Sequence, residues 1–244
     1  SDVGYYNRGN QFAQLPAQTL LSVFMNVAFP IMSKVQDDTE KLRAAYCKLI
    51  RTPNFVLFPV LTGLIVLSDP LVKVILGDKW LPSVPLLQII CLGYMFEPLT
   101  HINLNVLYVK GRTDLVLKLE LIKKPIAFVI LFLMAHFGVI WLCFGKTLYN
   151  FIAYCFNCYY TKRFINLGFW QQMKFNLPLF FNSVVMGGVC LLFKISFSNA
   201  YIQLFGGFVV AVITYVIMVI ITKDETYLDV KDMFFKKNEK RGPI

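Results

Sequence analysis

Seven stretches of roughly twenty or more mostly apolar residues, near 12–33, 45–68, 85–109, 115–136, 139–161, 176–197 and 200–222, decide what this chain can be. A helix needs about 20 such residues to cross the hydrocarbon core of a bilayer. Lipid offers no partner to backbone N–H and C=O groups, so only helices and closed barrels cross it. Runs of this length predict an all-α fold, a polytopic membrane helix bundle of about seven transmembrane helices. Composition agrees: 57% of the residues are hydrophobic and 16% charged, with 23 phenylalanines, and the mean hydropathy is +0.60. A net charge of +10 suggests nucleic acid only when Lys and Arg gather on one solvated face. Here they fall between the apolar runs, so no nucleic-acid partner is expected.

The fourth and fifth spans admit another reading, in which Pro125 to Gly145 forms one crossing. Charge decides between them. With seven spans, nineteen of the 24 Lys and Arg fall on one face of the membrane, including Lys34, Lys110, Arg112, Lys162, Arg163 and the basic residues of the tail. Arg8, Lys73 and Lys79 fall on the other, and Lys146 and Lys194 lie within spans or at their edges. The rich face is cytoplasmic by the positive-inside rule, and merging the two spans would spoil the segregation. The chain then divides into an outer-face lead-in at 1–11, a membrane bundle at 12–197, a last helix at 200–222 and a cytoplasmic tail at 223–244. It begins with Ser outside the membrane and shows no secretory signal pattern. At least one preceding span is therefore expected.

Among the connectors, SDPLVKVILGDKWLPSVP suits a helix lying at the outer interface with Trp80 as its anchor. KVQDDTEKLR reads as a cytoplasmic loop, and the tail around Tyr227, Met233, Phe234 and Phe235 as an interfacial helix with a frayed end. No low-complexity tract or repeat of 20–50 residues is present.

Soluble-enzyme chemistry is not signalled. The six cysteines are scattered, and Cys155 and Cys158 have the spacing of half a zinc site with no second pair or suitably spaced His. Only His101 and His136 exist, and there is no Ser-His-Asp order, Gly-rich phosphate loop or HExxH helix. Neither a catalytic residue, a metal nor a cofactor is expected.

Polar groups inside the spans are the remaining signal, because a charge at the bilayer centre costs roughly 2.5–3.5 kcal/mol on insertion scales. Glu97, His101 and Asn105 recur at four-residue intervals on one helical face, either a cavity stripe, with Glu97 a candidate coupling-ion or proton site, or a helix-packing contact. Lys123 and Lys124 precede Pro125 near the cytoplasmic end of the fourth span. Either lysine alone can snorkel to headgroups, but neighbours on a helix point about 100° apart, so one is expected to face inward. Lys146 is deeper, with Asn150 one turn on and Asn157 two turns beyond that, and no acidic neighbour in its span. A buried ammonium requires an anionic partner, which an anionic ligand would supply. In the first span, Gln11, Gln14, Gln18 and Ser22 form a polar stripe down an apolar helix, which then faces other helices or water. Pro16 and Pro30 are tolerated where packing or water re-satisfies the freed carbonyls.

The blocks GYYNRGNQFAQLPAQ, FPIMSKVQDD, LVKVILGDKWLPSVPLLQIICL and KGRTDLVLKLELIKKP, in this order, resemble those of the bacterial polysaccharide flippases, the Wzx-like exporters of the multidrug/oligosaccharidyl-lipid/polysaccharide (MOP) superfamily. The resemblance implies the C-terminal lobe of a two-lobe exporter in the bacterial inner membrane, with an N-terminal lobe as its missing partner. It implies movement of undecaprenyl-pyrophosphate-linked oligosaccharide for surface polysaccharide or lipopolysaccharide O-antigen, by alternating access. The cavity is then expected to be cationic, with Lys123, Lys124, Lys146, Asn150, Gln14 and Gln18 as substrate-binding candidates. Membrane lipids are the other partner expected. Two alternatives stay open. A cation-coupled multidrug exporter of the same superfamily would use acidic groups such as Glu97, and a membrane-embedded glycan polymerase or glycosyltransferase would carry a larger outer loop.

Overall fold

The computed structural model describes residues 2–224 and 226–227, and no strand occurs among them. Eight α-helices follow in order: α1 (Asp2–Ser33), α2 (Thr39–Ile75), α3 (Val84–Tyr94), α4 (Glu97–Val109), α5 (Thr113–Ala135), α6 (Val139–Ile165), α7 (Phe169–Ser196) and α8 (Gly207–Ile221). A 3-10 turn at Asp78–Ser83 leads into α3 and a π-helical turn at Ile202–Gly206 into α8. Six segments are long and apolar enough to cross a membrane, with α3 and α4 counted as one. Helix α5, at 23 residues, has the length, but its first half carries Asp114, Lys118, Glu120, Lys123 and Lys124. The chain is a polytopic membrane helix bundle. The proposed interfacial helix of the tail falls almost wholly outside the described residues.

Helix ends follow local chemistry. Asp38 caps α2, its Oδ1 accepting the backbone N–H groups of Glu40 and Lys41 at 3.1 Å each. Those bonds hold its carboxyl below the usual range, Lys41 N–H contributing most. Asn166 ends α6 in the left-handed region at φ 53°, a conformation Asn tolerates better than most residues. At the tight turn between α5 and α6, Gly138 takes φ +102°, and the two helices run antiparallel as separate elements.

The connector after the second span departs from the sequence reading. Asp69-Pro70 does not end the helix: α2 runs through both residues to Ile75. Pro70 lacks an N–H, which frees the carbonyl of Val66 four residues earlier, and Lys194 of α7 donates to it at 3.0 Å. Lys194 also pairs with Asp69. In place of an outer interfacial helix there is the end of α2 and the short 3-10 turn. Trp80 packs edge-on against Tyr5 with ring centroids 5.8 Å apart, and the Arg8 guanidinium stands 5.5 Å from its ring. Trp80 thus holds the start of α1.

The third span is also not one helix. Pro98 gives no N–H to the carbonyl of Tyr94 and suits the first turn of a helix, so α3 stops at Tyr94 and α4 starts at Glu97. Helix α6 supports this break. Asn150 Nδ2 donates to Gly93 O at 3.2 Å and Thr147 Oγ1 to Ile89 O at 3.0 Å. A Cβ at Gly93 would stand 2.9 Å from Thr147 Oγ1, so only glycine permits this crossing.

The core is built in patches. Ala13, Ala17, Leu57, Leu61, Leu87 and Cys91 fill the space between α1, α2 and α3. Met32, Leu42, Tyr46, Ile102, Val106 and Tyr154 fill the end rich in basic residues. Through that end runs a buried polar ladder. Tyr46 Oη donates to Asn103 Oδ1 at 2.9 Å, Asn103 and Gln172 exchange amide hydrogen bonds at 3.0 and 2.9 Å, and Asn54 Nδ2 donates to Asn176 Oδ1 at 2.7 Å. Helices α2, α4 and α7 are thereby tied together where lipid could satisfy none of these groups.

Candidate substrate-facing wall

Helix α4 packs against both α1 and α5, and α6 against α3, α4 and α5. The polar residues singled out in the sequence lie on α1, α4, α5 and α6, and short links join most of them. The Lys146 ammonium is half-buried, 3.4 Å from Asn10 Oδ1 and 5.2 Å from the Tyr94 ring centroid. Tyr94 Oη donates to the same Asn10 oxygen at 3.2 Å, and Asn10 Nδ2 donates to Gln14 Oε1 at 3.0 Å. Among the described residues no carboxylate lies within 4.0 Å of Lys146. Glu97, in the first turn of α4, lies within electrostatic reach of it. The positive end of the α4 dipole favours a carboxylate there. Asn10 and Tyr94 were not among the sequence candidates. Their role is visible only once α1 and α3 meet α6.

One turn beyond Glu97, His101 is exposed and within electrostatic reach of Lys123 and Glu120. Lys123 is buried: its ammonium pairs with Glu120 Oε1 at 2.6 Å and donates to Asn157 Oδ1 at 3.2 Å. Lys124 is exposed and 3.6 Å from Glu120 Oε2. The two lysines therefore diverge, one inward and one outward, and share a carboxylate from their own helix. Asn105 Nδ2 contacts Met25 Sδ at 3.3 Å across to α1. Asn150 is committed to the α3 backbone. Gln11, Gln18 and Ser22 lie exposed along α1, with Gln14 partly covered. Gln18 makes no link to the Lys146 group.

The cysteine pair of α6 has structural surroundings. Cys158 Sγ donates to Gln172 Oε1 at 3.4 Å inside the polar ladder, and no group of three metal-ligating side chains occurs among the described residues.

Fold and wall together define a helical membrane protein with a partly cationic polar face exposed on one set of helices. The comparisons with known proteins narrow that class. Residues 1–85 match the family model described as polysaccharide biosynthesis protein. The chain is 34% identical over 120 residues to the lipopolysaccharide biosynthesis protein WzxC of Escherichia coli (strain K12), covering 49% of this chain and 24% of that protein. It is 32% identical over 113 residues to the teichuronic acid biosynthesis protein TuaB of Bacillus subtilis (strain 168), covering 46% and 23%. To the succinoglycan biosynthesis transport protein ExoT of Rhizobium meliloti (strain 1021) it is 32% identical over 111 residues, covering 46% and 22%. The fold is that of the solved lipid II flippase MurJ in its inward closed conformation. The TM-score is 0.75 at 18% identity, over 91% of this chain and 48% of that one. The matched segments span about a quarter of each curated relative. The resemblance to polysaccharide flippases read from the sequence blocks is matched by these proteins.

Proposed function

We propose that this chain is the C-terminal lobe of a Wzx-like flippase in the bacterial inner membrane, moving undecaprenyl-pyrophosphate-linked oligosaccharide to the outer leaflet. It works by alternating access with an N-terminal lobe and carries no catalytic role. The end of the bundle with Lys34, Arg112 and Arg163 faces the cytoplasm, following the distribution of basic residues.

The observation that carries the proposal is the setting of Lys146. Its ammonium is held by one neutral amide and one aromatic face, which satisfy part of its hydrogen-bonding capacity and leave its charge without a close counter-charge. A pyrophosphate oxygen supplies both. Asn10, Tyr94 and Gln14 would orient the ammonium. Gln18 extends the polar surface along α1 for the sugar, and His101 and Asn105 extend it along α4. Asn150 acts indirectly, by fixing the α3–α4 break. Lys123 and Lys124 share Glu120 and contribute less charge to this path.

The supporting experiment uses the complete protein in a flippase-deficient strain, with surface polysaccharide and protein abundance measured together. Lys146→Met is expected to abolish export at normal abundance, and Lys146→Arg to keep part of it, since the guanidinium retains the charge with different geometry. Full export by Lys146→Met would remove this residue from the path.

Glu97 favours a second reading, a cation-coupled multidrug exporter of the same superfamily. It stands at the positive end of α4 with no counter-ion inside 4.0 Å among the described residues. Under that reading Glu97→Gln abolishes transport and Lys146→Met does not.

A further inference from the structure

Helix α5 presents an outward face to which the transport reading assigns nothing beyond a minor charge from Lys124. Leu117, Leu121, Phe128 and Phe132 are all more than half exposed and follow helical spacing, with Phe128 and Phe132 stacked at 6.1 Å between centroids. Between Leu121 and Phe128 the stripe is interrupted by Lys124, and a groove of about 530 Å³ is lined there by Leu117, Glu120, Leu121, Lys124, Pro125 and Phe128. Beneath it lies the buried Lys123, fixed by Glu120 and Asn157. Lys123 stands behind Glu120 and outside the lining, and the cluster of two ammonium groups and one carboxylate bordering the groove carries one net positive charge.

Its depth follows from α6. Lys123 is level with Asn157, and Gly145 lies against Met134. Tyr159 and Tyr160 of α6 are therefore about one turn, or about 6 Å, nearer the basic end than Lys124, and Lys162 and Arg163 are a turn further still. Tyrosines and basic residues in that order mark the inner headgroup boundary. Lys124 thus sits just inside the hydrocarbon edge, within snorkelling reach of lipid phosphates, while Phe128 and Phe132 continue the apolar stripe toward the bilayer centre.

We propose that this face of α5 is a binding site for an anionic phospholipid of the inner leaflet, with its phosphodiester on Lys124 and an acyl chain along Phe128 and Phe132. Charge complementarity selects the occupant: a phosphodiester carries one negative charge, matching the one net positive charge of the Lys123–Glu120–Lys124 cluster that Lys124 presents at the groove, whereas a pyrophosphate carries more. Glu120 sets that number. The site is separate from Lys146 and does not depend on the transport reading.

The test uses the complete protein in nanodiscs of equal phosphatidylglycerol and phosphatidylcholine, with retained lipids counted by native mass spectrometry. The protein should keep phosphatidylglycerol preferentially. Lys124→Met should lower the phosphatidylglycerol-to-phosphatidylcholine ratio about fivefold, the effect of one basic side chain near an anionic lipid surface, with an unchanged melting temperature. Lys118→Met, which alters a charge outside the groove, should leave the ratio intact. In nanodiscs that hold phosphatidic acid as well, Glu120→Gln should shift preference toward this more highly charged lipid. No preference in the unmodified protein, or equal ratios for the Lys118→Met and Lys124→Met variants, would overturn the proposal. So would displacement of phosphatidylglycerol by a polyprenyl pyrophosphate in a Lys124-dependent manner, because the groove would then belong to the substrate path.

Discussion

Helices α1, α4, α5 and α6 on one hand and α7 with α8 on the other are built for different neighbours. Helix α8 contains no charged residue from Gly207 to Ile221, and Phe208, Val212, Val216 and Ile220 all stand outward. The outer side of α7 is likewise Phe181, Val184, Leu191, Leu192 and Ile195. Its exposed polar groups, Gln171, Lys174 and Ser196, lie near the ends of α7, and between them polar groups turn inward: Tyr215 Oη donates to Phe55 O at 2.6 Å, Asn182 Nδ2 to Thr222 Oγ1 at 3.0 Å, and Lys194 pairs with Asp69. The wall does the opposite on part of its surface, leaving Gln18, Ser22, Asn26, His101 and Lys124 outward. Hydrocarbon does not repay the desolvation of such groups, so water, a polar ligand, lipid headgroups or further protein must meet them. One chain thus holds a lipid-facing side and a side that is incomplete without a polar neighbour.

The contrast is sharpest at the two ways glycine is used. Gly93→Val should place methyl groups where Thr147 Oγ1 stands, separate α3 from α6 and move the Lys146 group. A loss of about 3 kcal/mol is expected from overpacking, read as a fall in melting temperature of the purified protein. Gly188 in α7 has open space around its Cβ position, and Gly188→Ala should leave export intact and raise stability by about 0.5–1 kcal/mol through helix propensity. Equal damage at both positions would erase the distinction. Between these extremes lies Asn103, the hub of the buried ladder. Asn103→Ala leaves Tyr46 and Gln172 each short of a partner and should cost about 1–3 kcal/mol, seen as earlier proteolysis at the α4 and α7 ends. Its effect should be on stability, with export per folded molecule retained.

Much of this was legible in sequence. Six of the seven expected crossings meet length and composition, and the α5–α6 separation agrees with Gly138 and the charge pattern. The inward and outward split of Lys123 and Lys124 follows from a helix turning about 100° per residue. What escaped depends on contacts between distant segments. Asp69-Pro70 carries the local signal of a helix end, and α2 continues because Lys194, more than a hundred residues away, satisfies Val66 O. The break at Glu97-Pro98 had a local signal in its proline, but the supports that make it tolerable, Thr147 and Asn150, come from α6. Asn103, on the same helix as the evenly spaced Glu97, His101 and Asn105, shows its role only through Tyr46 and Gln172 of other helices. Lys146 has no acidic neighbour within its own helix, and folding brings Asn10, Tyr94 and Glu97 to it from α1, α3 and α4.

The division into a polar wall and a lipid-facing side is tested most directly by thiol accessibility in the complete protein, after replacement of Cys47, Cys91, Cys143, Cys155, Cys158 and Cys190. Single cysteines are placed at Gln18 and His101 in the wall and at Phe208 and Val212 in α8, and reacted in membranes with a charged, water-soluble maleimide. The wall positions should label in at least one membrane orientation, with protection by lipid-linked oligosaccharide, and the α8 positions should stay unreactive until the membrane is dissolved. Labelling of Phe208→Cys and Val212→Cys as fast as Gln18→Cys and His101→Cys would contradict the account.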